Sequence, residues 1–505
     1  MLTPTRLAAV AALAFAAALP AQAADFALQR VWQYAHAATG VPGQKAEIVA
    51  HDARSDTLWV AGVVGVDVLD RASGQLVAHL DVSHLGAVNS VAIARGVAAL
   101  AVENGQDRTL PGSVVLFDTR TRAQLGHPIP VGPLPDMLTF APDGRTLLVA
   151  NEGTPNPRPT PAGLSAEDPV GSVSIVDIVE RSVTTLPITA DIPGHDQLRL
   201  FPATGTRATQ PASYSAYDPE PEYITVDASG RRAWVTLQEA NGLALLDIQA
   251  RRFVKIVGLG EKDFSLPGNG IDPNDRDPAD PATNNGVFLR PVPVFGLYQP
   301  DSIASYRVRG RSYLVMANEG DARDNGSADG EDERRGSAGS SDAARLVPST
   351  GPAELFRLTY DNVTSTPQHL VAFGARSISI RDADGRLVWD SGSLLDAEAI
   401  RLGVYDDGRS DNKGVEPEGV ALLEVDGRTL AFVGLERTKK AAIAAFDVSE
   451  PTAPVYLGMV LGEGDVSPEG LHAFHARGRH YLAVAHESSD TTTLYEIAPK
   501  DGRRR

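Results

Sequence analysis

The amino-acid sequence predicts an all-β fold, a seven-bladed propeller whose ring is closed by its own N-terminal strand. Three observations carry this. Apolar runs are short, rich in Val, Ile, Leu and Ala, and bounded by the chain's abundant glycines and prolines. One strand–turn–strand pattern recurs seven times. Long helix-period stretches are absent.

Residues 1–23 read as a secretory signal peptide. Arg6 supplies the positive region, residues 7–19 the apolar region, and Ala21-Gln22-Ala23 the cleavage site. That apolar region is too short to span a bilayer. Residues 24–505 are expected to form a single domain in the periplasm or outside the cell. The chain has no cysteine, so burial alone must stabilise it in an oxidising compartment. Its formal charge of −18 fits nucleic acid or an anionic membrane poorly and suits cations or plain solubility.

Residues 26–35, FALQRVWQYA, precede the first repeat and have no unit of their own. They are expected to supply the outer strand of the last one, which removes an exposed edge. The repeats begin at Glu47, Asn89, Pro135, Pro221, Pro300, Pro417 and Pro468. Most continue into a third run ending near an acid: Asp70, Asp118, Asp177, Asp247 and Asp447. The runs 354–358 and 492–497 are expected to fill that place in the fifth and seventh units. Three strands and a variable fourth make one blade. Residues 153–169, 191–219, 262–291, 321–348 and 401–414 read as polar, loop-like insertions. No apolar tail follows the last repeat, so no C-terminal anchor is expected.

Five of the seven hairpins carry an acid at both ends. Glu418 and Glu436 lie nine residues either side of Gly427. Asp301 and Glu319 flank Gly310, and Glu469 and Glu487 flank Gly478, in the same way. Asp136 and Glu152, Glu222 and Glu239, and Asn89 and Glu103 repeat the scheme around Gly144, Gly230 and Gly96, while Glu47 stands alone. If the glycines are the turns, each pair returns to one edge of its unit, facing across adjacent strands unless a bulge shifts the match by one. The first acids should then meet at one mouth of the central channel. Carboxylates so placed must be protonated, hydrogen-bonded, paired or bound to a cation. One reading is structural, with each acid accepting backbone N–H groups. The other is a cation site, best suited to calcium, which takes six to eight oxygen ligands. Two acidic loops, with Asp272, Asn274, Asp275, Asp277 and Asp280, and with Asp321, Asp324, Asn325, Asp329 and Asp332, read as solvated. No nucleotide, hydrolase-elbow or zinc-protease motif is present. His195 beside Asp196 is a weak acid–base candidate.

Four segments, GLYQPDSIASY (296–306), MANEGDARD (316–324), LVPSTGPAELFRL (346–358) and DNKGVEPEGVA (411–421), resemble the choice-of-anchor I family. That family comprises exported propellers of the quinoprotein/YVTN type, similar to mesenchyme-specific cell-surface glycoproteins. Some relatives are labelled alkaline phosphatase, and EPEG is similar to a motif of calcium-dependent phytase propellers. The resemblance implies a calcium-associated binding or surface module, with Asp301, Glu319, Asp321, Glu416, Glu418, Glu436 and Glu469 as metal ligands. The alternative it implies is a calcium-dependent phosphoesterase. There Arg323, Lys413 and Arg437, with Lys439 nearby, would hold phosphate, and a metal-bound water would attack. The expected partner is a small-molecule or surface ligand, and a monomer is the default state.

Overall fold

The computed structural model describes residues 26–154, 158–160, 163–165, 169–200, 219–277, 286–322, 333–335, 353–361 and 364–499. The signal-peptide assignment therefore lies outside the described residues. So do Arg323, Asp280, Asp324, Asn325, Asp329 and Asp332.

Among the described residues, seven four-stranded antiparallel sheets form the body. Sheet 1 comprises Val49–Asp52, Thr57–Gly62, Gly65–Asp70 and Leu76–Asp81, and sheet 2 comprises Val88–Ala94, Val97–Val102, Pro111–Asp118 and Ile129–Pro133. Sheet 3 is Pro135–Phe140, Thr146–Asn151, Ser172–Asp177 and Ser182–Pro187. Sheet 4 is Pro221–Val226, Arg232–Leu237, Gly242–Asp247 and Arg252–Gly258. Sheet 5 is Ile303–Val308, Arg311–Asn318, Ser377–Asp382 and Leu387–Asp390, and sheet 6 is Pro417–Val425, Arg428–Leu435, Ala442–Asp447 and Val455–Leu461. Sheet 7 takes Pro468–Ala476, Arg479–His486 and Thr491–Pro499 from the C-terminal end. Its fourth strand is Phe26–Ala35, paired antiparallel with Thr491–Pro499.

Middle strands read as continuous apolar runs because both their faces are covered. Thr57–Gly62 is buried at every position, and Thr146–Asn151 and Arg232–Leu237 at all but the first. Each consecutive pair of sheets shares a core. Sheets 7 and 1 share one as well, where Phe474, Tyr481 and Leu494 pack on Leu58, Val60 and Leu69. The first strands touch in the same succession, and the first strand of sheet 7 touches that of sheet 1. At these contacts the backbones nearly meet. A Cβ on Gly419 would lie 2.0 Å from the Glu469 carbonyl oxygen, and one on Gly470 would lie 2.2 Å from that of Glu47.

The expected turn glycines are the hairpin tips. Arg95-Gly96, Arg309-Gly310, Asp426-Gly427 and Arg477-Gly478 each put two successive residues at positive φ, the type I′ signature that matches strand twist.

Two expectations need correction. The third strand of the fifth unit is Ser377–Asp382, not residues 354–358; Ala353–Phe356 is a short 3₁₀ turn. Ile378 and Ile380 are fully buried between sheets 5 and 6, a place the 354–358 run does not reach. The insertions around sheet 5 are also not mere loops. Phe264, Ile271, Val294, Leu355, Leu358, Tyr360 and Leu370 build a small core of their own. A parallel pairing of Val294–Leu297 with Leu370–Ala372 accompanies it. Among the described residues no helix is long and apolar enough to cross a membrane.

Candidate cation site

The first acid of four sheets follows a proline whose preceding residue has a left-handed backbone: Leu134, Gln299, Glu416 and Ser467, with φ of 44°, 40°, 51° and 56°. Positive φ on non-glycine residues is strained and persists only where surroundings impose it. In sheets 3, 6 and 7 the strand register then slips, between Pro135 and Leu138, Pro417 and Val420, and Pro468 and Leu471. Asp136, Glu418 and Glu469 sit in these bulges, which re-aim a side chain out of the ladder. The two acids of a hairpin therefore do not face each other directly, as the spacing had predicted. The second acid aligns with the residue before the proline: the amides of Glu152, Glu436 and Glu487 each donate to the carbonyls of Leu134, Glu416 and Ser467 at 2.9 Å.

The acids converge from different sheets. Burial pushes the Asp301 carboxyl well up, and Glu319, Asp136, Glu436 and Asp321 push it further. Glu469 is raised by burial, then by Glu47, Glu487, Asp301 and Glu436. Asp136, Glu222 and Glu418 are raised in the same way, by burial and then by neighbouring carboxylates. Glu436 reaches about 8 and Glu47 about 7, burial being the first cause in both. Acids of sheets 1, 3, 5 and 7 thus act on one another. The first acids keep partial solvent access, yet protein crowds bulk water away on all sides. The repeated acid at the end of the third strand is the opposite case. Asp70, Asp118 and Asp177 are held below the usual carboxylate range, first by the Ser73 hydroxyl, the Thr121 amide and the Arg145 guanidinium respectively, and each accepts backbone N–H bonds from its own turn. The two repeated sets of acids therefore stand in different surroundings and are shifted in opposite directions.

One corner of this centre is neutralised from within. Oxygens of Glu319, Glu416 and Glu436 lie within 4.8 Å of one another, a metal-like grouping. The Lys413 ammonium already occupies it, 3.1 Å from Glu319 and from Glu416 and 3.3 Å from Asp321. Arg409 donates to Glu416 at 2.8 Å, Gln238 to Glu319 at 2.8 Å, and Arg437 pairs with Glu436 at 2.7 Å. Glu416 is completely buried in this network. The other part is uncompensated. Among the described residues, Asp136, Glu222, Asp301, Glu418 and Glu469 make no ion pair with a basic side chain. Glu418 Oε2 is buried without a hydrogen-bond partner, and so is Oε2 of Glu239, a residue only 8% exposed. The chemistry of this all-oxygen, acid-rich set with orphaned oxygens suits a hard cation such as calcium. Among the described residues, however, only Glu319, Glu416 and Glu436 already bring their oxygens within 4.8 Å of one another, so the uncompensated acids would have to turn inward to share an ion. The Lys413 corner does not fit a second cation.

All seven sequence-predicted ligands lie in or beside this centre, but Glu319, Asp321 and Glu416 are engaged by Lys413 and Glu436 by Arg437, which leaves Asp301, Glu418 and Glu469. Of the phosphate candidates, Lys413 and Arg437 face carboxylates instead, and Arg323 lies outside the described residues. The resemblance drew only on sheets 5 to 7; Glu47, Asp136, Glu152, Glu222 and Glu239, which the repeated hairpin spacing had already singled out, interact with them. Gln238 and Arg409 were missed, since neither belongs to the repeated acid pattern. His195 is buried in a short 3₁₀ turn with burial lowering its basicity. Of the loop acids, Asp272 accepts the Phe288 amide at 2.8 Å and Asp275 pairs with Arg357 at 2.7 Å, so they hold the insertion together rather than standing in solvent.

The sequence profile of the choice-of-anchor I domain matches residues 47–451. No curated protein matches the chain. The Cps50 (Swd1) β-propeller domain of Myceliophteria thermophila is similar in structure, at 11% identity and a TM-score of 0.45, over 94% of this chain and 100% of that one. Kuenenia stuttgartiensis hydrazine synthase is similar at 12% identity and a TM-score of 0.49, over 91% and 97%. At these values neither likeness bears on activity.

Proposed function

The chain belongs to the choice-of-anchor I family, and from that premise we propose that it is an exported, calcium-associated β-propeller acting as a binding or surface module. In this reading residues 24–505 are one domain, the seven sheets are its blades, and the N-terminal strand completes the last blade. The succession of shared cores that includes sheets 7 and 1 supports this. Residues 1–23 direct export.

The observation that carries the cation reading is the set of carboxylates without a basic partner, raised first by burial and then by one another, where the first strands meet. Asp301, Glu418 and Glu469, with Asp136, Glu222 and Glu47, would hold the ion. Its chemistry there is charge neutralisation and the display of open coordination positions to an oxygen-rich ligand. The chain's own residues orient the donors: the bulges aim the acids inward, and Gly419 and Gly470 let the strands approach.

The phosphoesterase alternative needs basic groups free to hold phosphate, and Lys413 and Arg437 are committed to Glu319, Glu416 and Glu436. The binding module is therefore the better reading. Thermal unfolding of chelator-treated protein at pH 8, with and without calcium, beside a p-nitrophenyl phosphate assay, tests it. The proposal expects calcium to raise the melting temperature, Glu418→Gln to remove most of that rise, and no turnover. A melting curve indifferent to calcium would end the cation reading; calcium-dependent hydrolysis lost in Glu418→Gln would favour the enzyme.

A further inference from the structure

A second, chemically different site lies at a hairpin tip, away from the acidic centre. His475 and His480 stand directly opposite each other on the first two strands of sheet 7, just before and after the Arg477-Gly478 turn. Their Nδ1 atoms are 2.7 Å apart, with ring planes at 74°. Two facing imidazole nitrogens cannot both present lone pairs at that distance, so one proton must bridge them. A metal ion that replaces this proton meets two neutral nitrogen donors on a rigid type I′ hairpin.

The geometry points to a surface site for a divalent d-block cation, copper(II) or nickel(II), held by His475 and His480. Two nitrogens bound at about 2.0 Å and at right angles lie about 2.8 Å apart, whereas tetrahedral angles set them about 3.3 Å apart. The observed 2.7 Å is set by the N–H···N hydrogen bond, so it shows that the two donors lie close enough to share an ion once the bridging proton leaves and the rings turn their lone pairs toward a common point. The surroundings permit a cation. Arg477 and Arg479, on the same turn, are tied to Asp56 at 3.1 Å and Glu496 at 2.9 Å. Asp426, on the neighbouring hairpin tip, adds negative charge beside His480. Alternation puts His472 on the other face of its strand from His475, and it packs against Phe474.

Copper(II) titrated into tag-free, chelator-treated full-length protein, followed by calorimetry and electron paramagnetic resonance, tests the site. One equivalent should bind with a dissociation constant at or below about 10 µM and show hyperfine structure from two imidazole nitrogens. His475→Gln and His480→Gln should each weaken binding at least tenfold and leave one nitrogen. Both positions are at the surface, and circular dichroism checks that the variants fold. Glu418→Gln should bind copper as the wild type does, which keeps this result independent of the calcium site. Absence of binding, or binding unchanged in both histidine variants, would overturn the inference.

Discussion

The same residue type, placed at two recurring positions, titrates in opposite directions. Asp177 at the end of a third strand accepts two turn amides at 3.0 Å and is held below the usual range, Arg145 being the first cause. Asp177→Ala should cost about 1 kcal/mol in chemical denaturation, the ordinary effect of losing a turn hydrogen bond. The central acids are raised, so their linkage runs the other way. The folded state holds protons that the unfolded chain has released, and stability falls as pH rises from about 5 through 7 and 8, the values for Glu47 and Glu436. Calcium-free protein should therefore melt at a higher temperature at pH 6 than at pH 8.5, and added calcium should narrow the gap. Equal melting temperatures would contradict this. Lys413→Met should destabilise by about 3–5 kcal/mol at pH 8, because three carboxylates lose the ammonium they share. The acids were legible in the sequence through their symmetric spacing. Lys413's role was not, because an acid and a base brought together from residues 319 and 413 leave no mark on local spacing.

At the scale of the hairpin, glycine acts in two ways. Gly427 sits at φ 75° at an exposed tip, where an added Cβ meets nothing within 4 Å. Gly427→Ala should therefore cost only backbone strain, about 1 kcal/mol. Gly470 has ordinary φ but faces the Glu47 carbonyl, so Gly470→Ala forces two strands apart beside the acids. It should lower the melting temperature further and weaken calcium binding, whereas Gly427→Ala should leave calcium affinity unchanged. The turns were readable from sequence because type I′ chemistry is local. The bulge after X-Pro was not, since it depends on a neighbouring first strand. The fifth unit's third strand was misplaced for a related reason: the long insertion separated it from its hairpin, and residues 354–358 were nearer.

Across the whole molecule, the two ends of the chain are tied together. Phe26–Ala35 completes sheet 7, and His36 then bridges onward, with Nδ1 2.6 Å from Asp67 in sheet 1 and Nε2 2.8 Å from Thr492 in sheet 7. All three side chains are fully buried. A chain lacking residues 24–45 should melt at a lower temperature than the intact protein and expose the edge of Thr491–Pro499. The central claim is that the sheets deliver uncompensated carboxylates to one place that takes up calcium. Calorimetric titration of calcium into chelator-treated protein at pH 8, in two buffers of different ionisation enthalpy, tests this most directly. Saturable binding with release of protons to the buffer is predicted, since raised carboxyls must ionise to hold the ion. No binding, or binding without proton release, would contradict it.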